Sequence, residues 1–388
     1  MKKSYLPLFL ILFAVLALFV ALRVKEANEP EPTPVPTLAP TPEPTTVPTE
    51  EPIEETTPEP TSEPTPEPTP EATPEPDAEA KTEFHLSFAG DTTLGSLVEW
   101  QGYTGGDFQS TVGQNFAYPL QNVQSIFAAD DFTMVNLEGT FTDSNLAVEK
   151  KYRFKAAPAY AQVLSEGSVE AVALANNPAG DLLDQGRIDT KAAVEAVGAV
   201  WADFDKPLIY PLNDGPKLGI VNYNTVEDYN GEEKWREDIQ RAIAFCRDEG
   251  CDFIIGFMHW GSAEYLPEAE PWAVQLAHDM TDWGCGLIVG GHAHILQPME
   301  FYHDVPIFSS MGNFCYGGHL NPPDTDSVIL SVTLHWEDGS ATLESVTPLP
   351  CAISSSESRN DYRPTLYTED GAGYTRVMEK LKWSEEER

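Results

Sequence analysis

Residues 252–260 read DFIIGFMHW and residues 286–297 read GLIVGGHAHILQ, two apolar runs that each break into imidazole at the carboxyl end. Strands covered on both faces, as in parallel sheets flanked by helices, show such unbroken apolar runs. In these sheets the groups that bind ligands gather at the carboxyl ends of the strands, where loops aim side chains into a crevice. His259, His292 and His294 are therefore expected at one sheet edge. Alone, His259 is most simply a buried imidazole that satisfies a carbonyl. The His-x-His pair favours metal, because residues two apart in an extended segment point the same way and offer two nitrogens to one pocket.

Upstream, EFHLSFAGDTTLGS alternates like a strand and runs into Gly90 and Asp91, and DDFTMVNLEGTFT is an apolar strand that ends in Asn136, Leu137 and Glu138. The stretch SVEAVALANNPAGDLLDQGRIDTKAAVEAVGAV gives strand, loop and helix, with Asn176 and Asn177 at the strand end and Asp189 or Thr190 as helix cap. Helices around Trp235 to Glu249 and from Pro271 to Trp283 precede the two histidine strands. Strands that alternate with helices predict an α/β fold with a mainly parallel sheet. Asp91, Glu138, Asn177, His259, His292 and His294 then all fall at strand ends. Together they form a mixed oxygen and nitrogen set suited to divalent Mn, Zn or Fe, as one ion or as two bridged by carboxylate. Such a set lowers the pKa of water and makes a nucleophile near neutral pH. No nucleophile elbow, Walker loop or dinucleotide fingerprint competes with it.

The 388-residue chain opens with an apolar stretch, Tyr5 to Leu22, behind Lys2 and Lys3. It is close to bilayer-spanning length, which favours an uncleaved membrane anchor over residues 1–25, with a cleaved signal as the alternative. Residues 26–81 are Pro, Glu and Thr, including EPTPEPTPEATPEP, and cannot bury enough surface to fold. They predict a disordered stalk, about 3 Å per residue when extended, with the globular part outside the membrane. The formal charge is −39. Without the fifteen acids of the stalk and the four N-terminal bases, 47 acids still face 19 bases. Nucleic acid is excluded as a partner, since it would need a basic patch. The five cysteines lack a CxxC pair, and Cys251 and Cys285 can pair if their strands are neighbours.

Read in order, AGDTTLG, NLEGTFT, FKAAPAYAQVL, ALANNPAGD, MHWGSAEY, GGHAHILQPME and SSMGNF resemble the successive motifs of the CapA family of bacterial capsule (poly-γ-glutamate) synthesis proteins. The resemblance implies a layered sheet sandwich flanked by helices, of the calcineurin-like metallophosphatase type, over residues 82–350, with a C-terminal extension at 351–388. It also implies a surface-exposed, membrane-tethered protein whose partner is an anionic cell-surface polymer or its synthesis machinery. The implied metal-type residues are Asp91, Glu138, Asn177, His259, His292 and His294, with Asn136, Asn176, Glu264 and Asn313 in the pocket and His259 and His294 as catalytic candidates. Two positions depart from the family pattern. Pro178 stands where a His usually follows the two Asn, which removes a proton donor and pulls Asn177 toward an extended conformation. Leu183 stands where Gly is common, which predicts an altered turn. The alternative to a metallohydrolase is accordingly a catalytically impaired binding or scaffold protein that uses the same pocket.

Overall fold

The computed structural model describes residues 81–100, 107–226 and 231–384. The expected anchor, and all of the stalk but Lys81, lie outside them. Among the described residues no helix is long and apolar enough to cross a membrane.

In chain order the elements are β1 (Glu83–Thr93), β2 (Ser96–Leu97), α1 (Phe108–Val112), α2 (Gln124–Phe127), β3 (Phe132–Leu137), β4 (Thr140–Phe141) and β5 (Phe154–Ala156). Next come α3 (Gln162–Glu166), β6 (Ala171–Ala173), α4 (Leu183–Ala196), β7 (Val200–Ala202), β8 (Leu208–Pro211), β9 (Lys217–Asn224) and α5 (Glu232–Asp248). The two histidine strands follow as β10 (Phe253–His259) and β11 (Leu287–Gly291), separated by α6 (Pro271–Asp282). The chain closes with β12 (Met299–Tyr302), β13 (Val305–Phe308), β14 (Asn313–Tyr316), β15 (Asp326–Glu337), β16 (Ser340–Ala352), β17 (Thr365–Leu366) and α7 (Ala372–Leu381).

Two sheets carry the fold. One runs β17-β16-β15-β1-β3-β6-β7, with β14 also paired to β1, and the other runs β12-β13-β11-β10-β9-β8. Their centres are parallel, as the alternation of strands and helices predicts, through β1–β3–β6–β7 and β9–β10–β11–β13. Antiparallel β15, β16, β12 and β8 close the edges.

Side-chain alternation explains how both faces are buried. Along β10, Phe253, Ile255 and Phe257 enter a core that also holds Phe84, Leu86 and Phe88 of β1, so this core lies between the sheets. Ile254 and Met258 point the other way and pack with Ile239, Ile243, Leu276 and Met280 of α5 and α6. On the outer face of the first sheet, Val135, Leu137 and Val172 pack with Phe108, Phe127, Leu164 and Val194. The result is a layered sheet sandwich flanked by helices, and each fully buried Leu, Ile or Phe contributes about 1.5–3 kcal/mol.

Four expectations need correction. Neither Asp189 nor Thr190 caps a helix, because α4 begins at Leu183 with no side-chain cap; Thr190 instead donates to the Gly186 carbonyl and accepts from the Phe141 N–H. Asn177 is not extended: it opens a 3-10 turn, Asn177–Gly180, and the extended residue is Asn176 at φ −145°, ψ 166°. Proline suits the start of such a turn, where an N–H would have no partner. All five cysteines are free, and although β10 and β11 are neighbours, Cys251 meets Cys246 around Gly219 rather than Cys285. Finally, β16 runs through position 350, and α7 packs Val377 and Leu381 into the inter-sheet core, so residues 351–381 belong to the same packed unit.

Candidate metal centre

The sheets meet at Asp91. Its Oδ2 accepts from the His292 backbone N–H at 3.0 Å, and a Cβ on Gly291 would lie 2.3 Å from its Oδ1. Glycine at 291 is thus what lets the second sheet approach the carboxylate. Gly90 allows a different close approach, between β1 and the segment leading into β14 of the same sheet, where a Cβ would lie 2.1 Å from the Gly312 carbonyl oxygen.

Asp91, Glu138 and His294 are buried and place one ligand atom each within 4.8 Å of one another. Glu138 Oε1 lies 3.6 Å from His294 Nε2 and 3.7 Å from His259 Nε2, so one carboxylate stands between two imidazoles. His259 and His292 adjoin this trio with ring centroids 5.0 Å apart, and Asn177 Oδ1 lies 2.7 Å from His259 Nε2. Asn136 is the hub. Its Nδ2 donates to Asp91 Oδ1 at 2.7 Å and lies 3.1 Å from His259 Nδ1, while its Oδ1 accepts from Asn176 Nδ2 at 3.0 Å. Asn313 Oδ1 lies 2.9 Å from His294 Nδ1, and its Nδ2 donates to the His294 carbonyl, which pins that ring with Nε2 toward Glu138. Glu264, in contrast, remains exposed on the loop after β10, outside the trio.

His292 and His294 do not converge by strand alternation. β11 ends at Gly291, and both residues adopt left-handed backbone, φ 84° and 57°. Such strain costs about 1–3 kcal/mol per residue and persists where the surroundings over-determine it.

Burial sets the charges. It raises Asp91, and it pushes Glu138 up to about 8 with help from the charges of Asp91 and Glu264. Burial also drives His259 well down and His292 to about 4, which favours the neutral imidazole at both. For His294 burial is outweighed by Glu138 and Asp91, which lift it to about 9. The unmade bonds lie in the same place: Glu138 Oε2, His292 Nδ1 and Asn176 Oδ1 are buried without partners, as is Thr93 Oγ1, two residues on from Asp91. Neutral imidazoles and orphaned acceptors around a cluster of carboxylates fit a divalent cation.

Tyr316, Tyr265 and Lys150 escaped the sequence analysis. The Tyr316 ring lies 5.5 Å from that of His294, and burial holds its hydroxyl well above the usual tyrosine range. The Tyr265 ring is 6.3 Å from His294. Neither tyrosine has a spacing that singles it out. Lys150 had a signal, the basic run KKYRFK in an acidic domain.

Fold and site together define a class: a two-sheet α/β protein with a buried carboxylate and imidazole centre compatible with a divalent cation. The family described as Bacterial capsule synthesis protein PGA_cap matches residues 85–317. This chain belongs to that family. It is 28% identical over 247 residues to the PGA biosynthesis protein CapA of Bacillus subtilis and 26% over 261 residues to the capsule biosynthesis protein CapA of Bacillus anthracis. These matches cover 59% and 60% of this chain, and 62% of the length of each relative. Among solved structures, the calcineurin-like phosphoesterase YfkN from Bacillus subtilis is similar at 14% identity and TM-score 0.43, covering 77% of this chain and 96% of that one. Purple acid phosphatase PPD1 from yellow lupin seeds is similar at 14% identity and TM-score 0.35, covering 71% and 52%.

Proposed function

We propose that this protein carries a divalent-cation centre of the hydrolase type and acts in the synthesis of an anionic capsule or poly-γ-glutamate polymer at the cell surface, held to the membrane by residues 1–25. The observation that carries the chemistry is Glu138 Oε1 between the Nε2 atoms of His259 and His294, with Asp91 beside them. Asp91, Glu138 and His294 would hold a first ion, with His259, His292 and Asn177 available to a second. What such a cation supplies is Lewis acidity and a nucleophile from water near neutral pH. The chain itself supplies orientation: Asn136 holds Asp91 and His259, and Asn313 fixes the tautomer of His294. The polymer assignment is supported by the family and by what the two Bacillus relatives are named for.

Pro178 favours a second reading, a binding protein in which the centre no longer turns over. Its buried side chain brings no proton donor to the turn. The test is metal analysis of the fragment from Lys81 onward after loading with manganese, zinc or iron, followed by assays on p-nitrophenyl phosphoesters and γ-glutamyl peptides. The metallohydrolase is expected to retain metal, and to lose both metal and activity when His292 and His294 are replaced by Ala. Metal content and melting temperature unchanged in that double variant would refute the centre. Retained metal with no hydrolysis, and hydrolysis gained in Pro178→His, would select the second reading.

A further inference from the structure

The segment 143–153, between β4 and β5, runs back to the turn that carries Pro178. There the Val148 N–H donates to the Asp181 carbonyl at 2.9 Å. Lys150 Nζ donates to Asp181 Oδ1 at 3.1 Å and reaches the Asn177 carbonyl at 3.4 Å. Asn177 in turn touches His259 Nε2 through its side-chain oxygen, so one residue separates the ammonium from an imidazole of the centre. Lys150 keeps 28% of its side chain exposed, whereas Asp181 keeps 1%. Its charge also reaches inward and disfavours protonation of both His259 and His292.

The neighbouring cations are engaged elsewhere. Lys151 sits over the Tyr152 ring, Arg153 pairs with Glu99, and Lys155 donates to the Ser144 carbonyl and to Asn145. Of the basic run, Lys150 is the member brought to the centre. Glu264, exposed on the loop after β10, adds negative charge that is felt at both Asp91 and Glu138. An anionic substrate at this carboxylate-rich centre needs a compensating cation, and a lysine offers a point charge on a flexible stem that can move from one oxygen to another.

We propose that Lys150 receives an oxyanion of the substrate, from a phosphoryl or a carboxylate group, with Asp181 and the Asn177 carbonyl holding the ammonium ready at the rim. This deepens the reading above, on which it rests for the identity of the centre. The experiment titrates inorganic phosphate and, separately, γ-glutamyl-glutamate into the wild-type fragment, Lys150→Gln and Lys150→Arg, with and without manganese, and measures bound manganese on the same samples. Lys150→Gln is expected to weaken binding of at least one probe about tenfold or more, as loss of a charge-assisted contact does. Lys150→Arg should retain binding, and manganese content should not change. Loss with one probe only identifies the class of oxyanion. Equal affinity in wild type and Lys150→Gln, or no binding of either probe by the wild type, overturns the proposal. Equal losses in both variants accompanied by loss of manganese overturn it too, since Lys150 would then merely brace the turn. If Lys150→Gln fails to fold, Asp181→Asn decides: it removes the negative charge paired with the ammonium and should tighten anion binding, and weaker binding would refute the assignment. Absence of manganese from all samples would sink the metal centre itself, while the anion titration still reads Lys150.

Discussion

Glu138 Oε1 lies within 3.7 Å of two imidazole nitrogens, and its other oxygen is buried with no hydrogen-bond partner among the protein's own groups. The interacting Glu138–His294 pair takes up its protons at about 8 and about 9, because burial raises Glu138 while, against burial, the nearby Glu138 and Asp91 carboxyl groups raise His294. A cation that binds these atoms must displace those protons. The sign follows: as pH falls below each value, protons compete better and metal affinity drops. Manganese affinity titrated from pH 9 to pH 6 should therefore weaken steadily, with protons released on binding. A flat profile would remove both residues from the ligand set. At this scale the candidates were legible, because an imidazole or carboxylate after an apolar run is a local pattern. Asn136 and Asn313 were visible as pocket residues, but their work as holders of Asp91, His259 and His294 depends on contacts 19 to 123 residues apart in sequence.

The turn into α4 shows how an element can tolerate a residue unsuited to it. Leu183 opens the helix at φ 61°, with 42% of its surface exposed. The backbone there adopts the left-handed geometry that suits glycine, and leucine bears the strain. Left-handed backbone costs an L-residue about 1–2 kcal/mol, and the exposed side chain offers little packing in return. Leu183→Gly should thus raise unfolding free energy by about 1 kcal/mol in a denaturant titration. A less stable Leu183→Gly would show that the leucine's contacts outweigh the strain. The start of α4 was illegible for a related reason. Leu182 at its N-cap provides no side-chain oxygen, so the chain carries no capping signature there, whereas Asp189 and Thr190 look like caps and serve tertiary contacts instead.

Over the whole molecule, β1 begins at Glu83 and α7 ends at Leu381, with all three hydrophobic clusters drawn from residues between them. A fragment that begins at Lys81 should melt at the temperature of the full chain, and limited digestion by a protease of broad specificity should trim the chain to about that point. A markedly lower melting temperature for the fragment would mean that residues before Lys81 pack on the domain. The apolar runs of β10 and β11, the helices before them and the polar strand ends were determined by the sequence alone, because burial on both faces and the 3.6-residue helical period are local properties that survive in a string of letters. Tertiary structure decided the rest. That Asp91 of one sheet meets Gly291 and His292 of the other depends on a glycine at 291, where any Cβ would collide with the carboxylate. That His292 and His294 converge depends on left-handed backbone imposed by those surroundings, and that Lys150 reaches Asn177 depends on a loop folded back from another strand. Each is a contact between segments far apart in the chain, whose geometry is set by packing and leaves no periodicity to read.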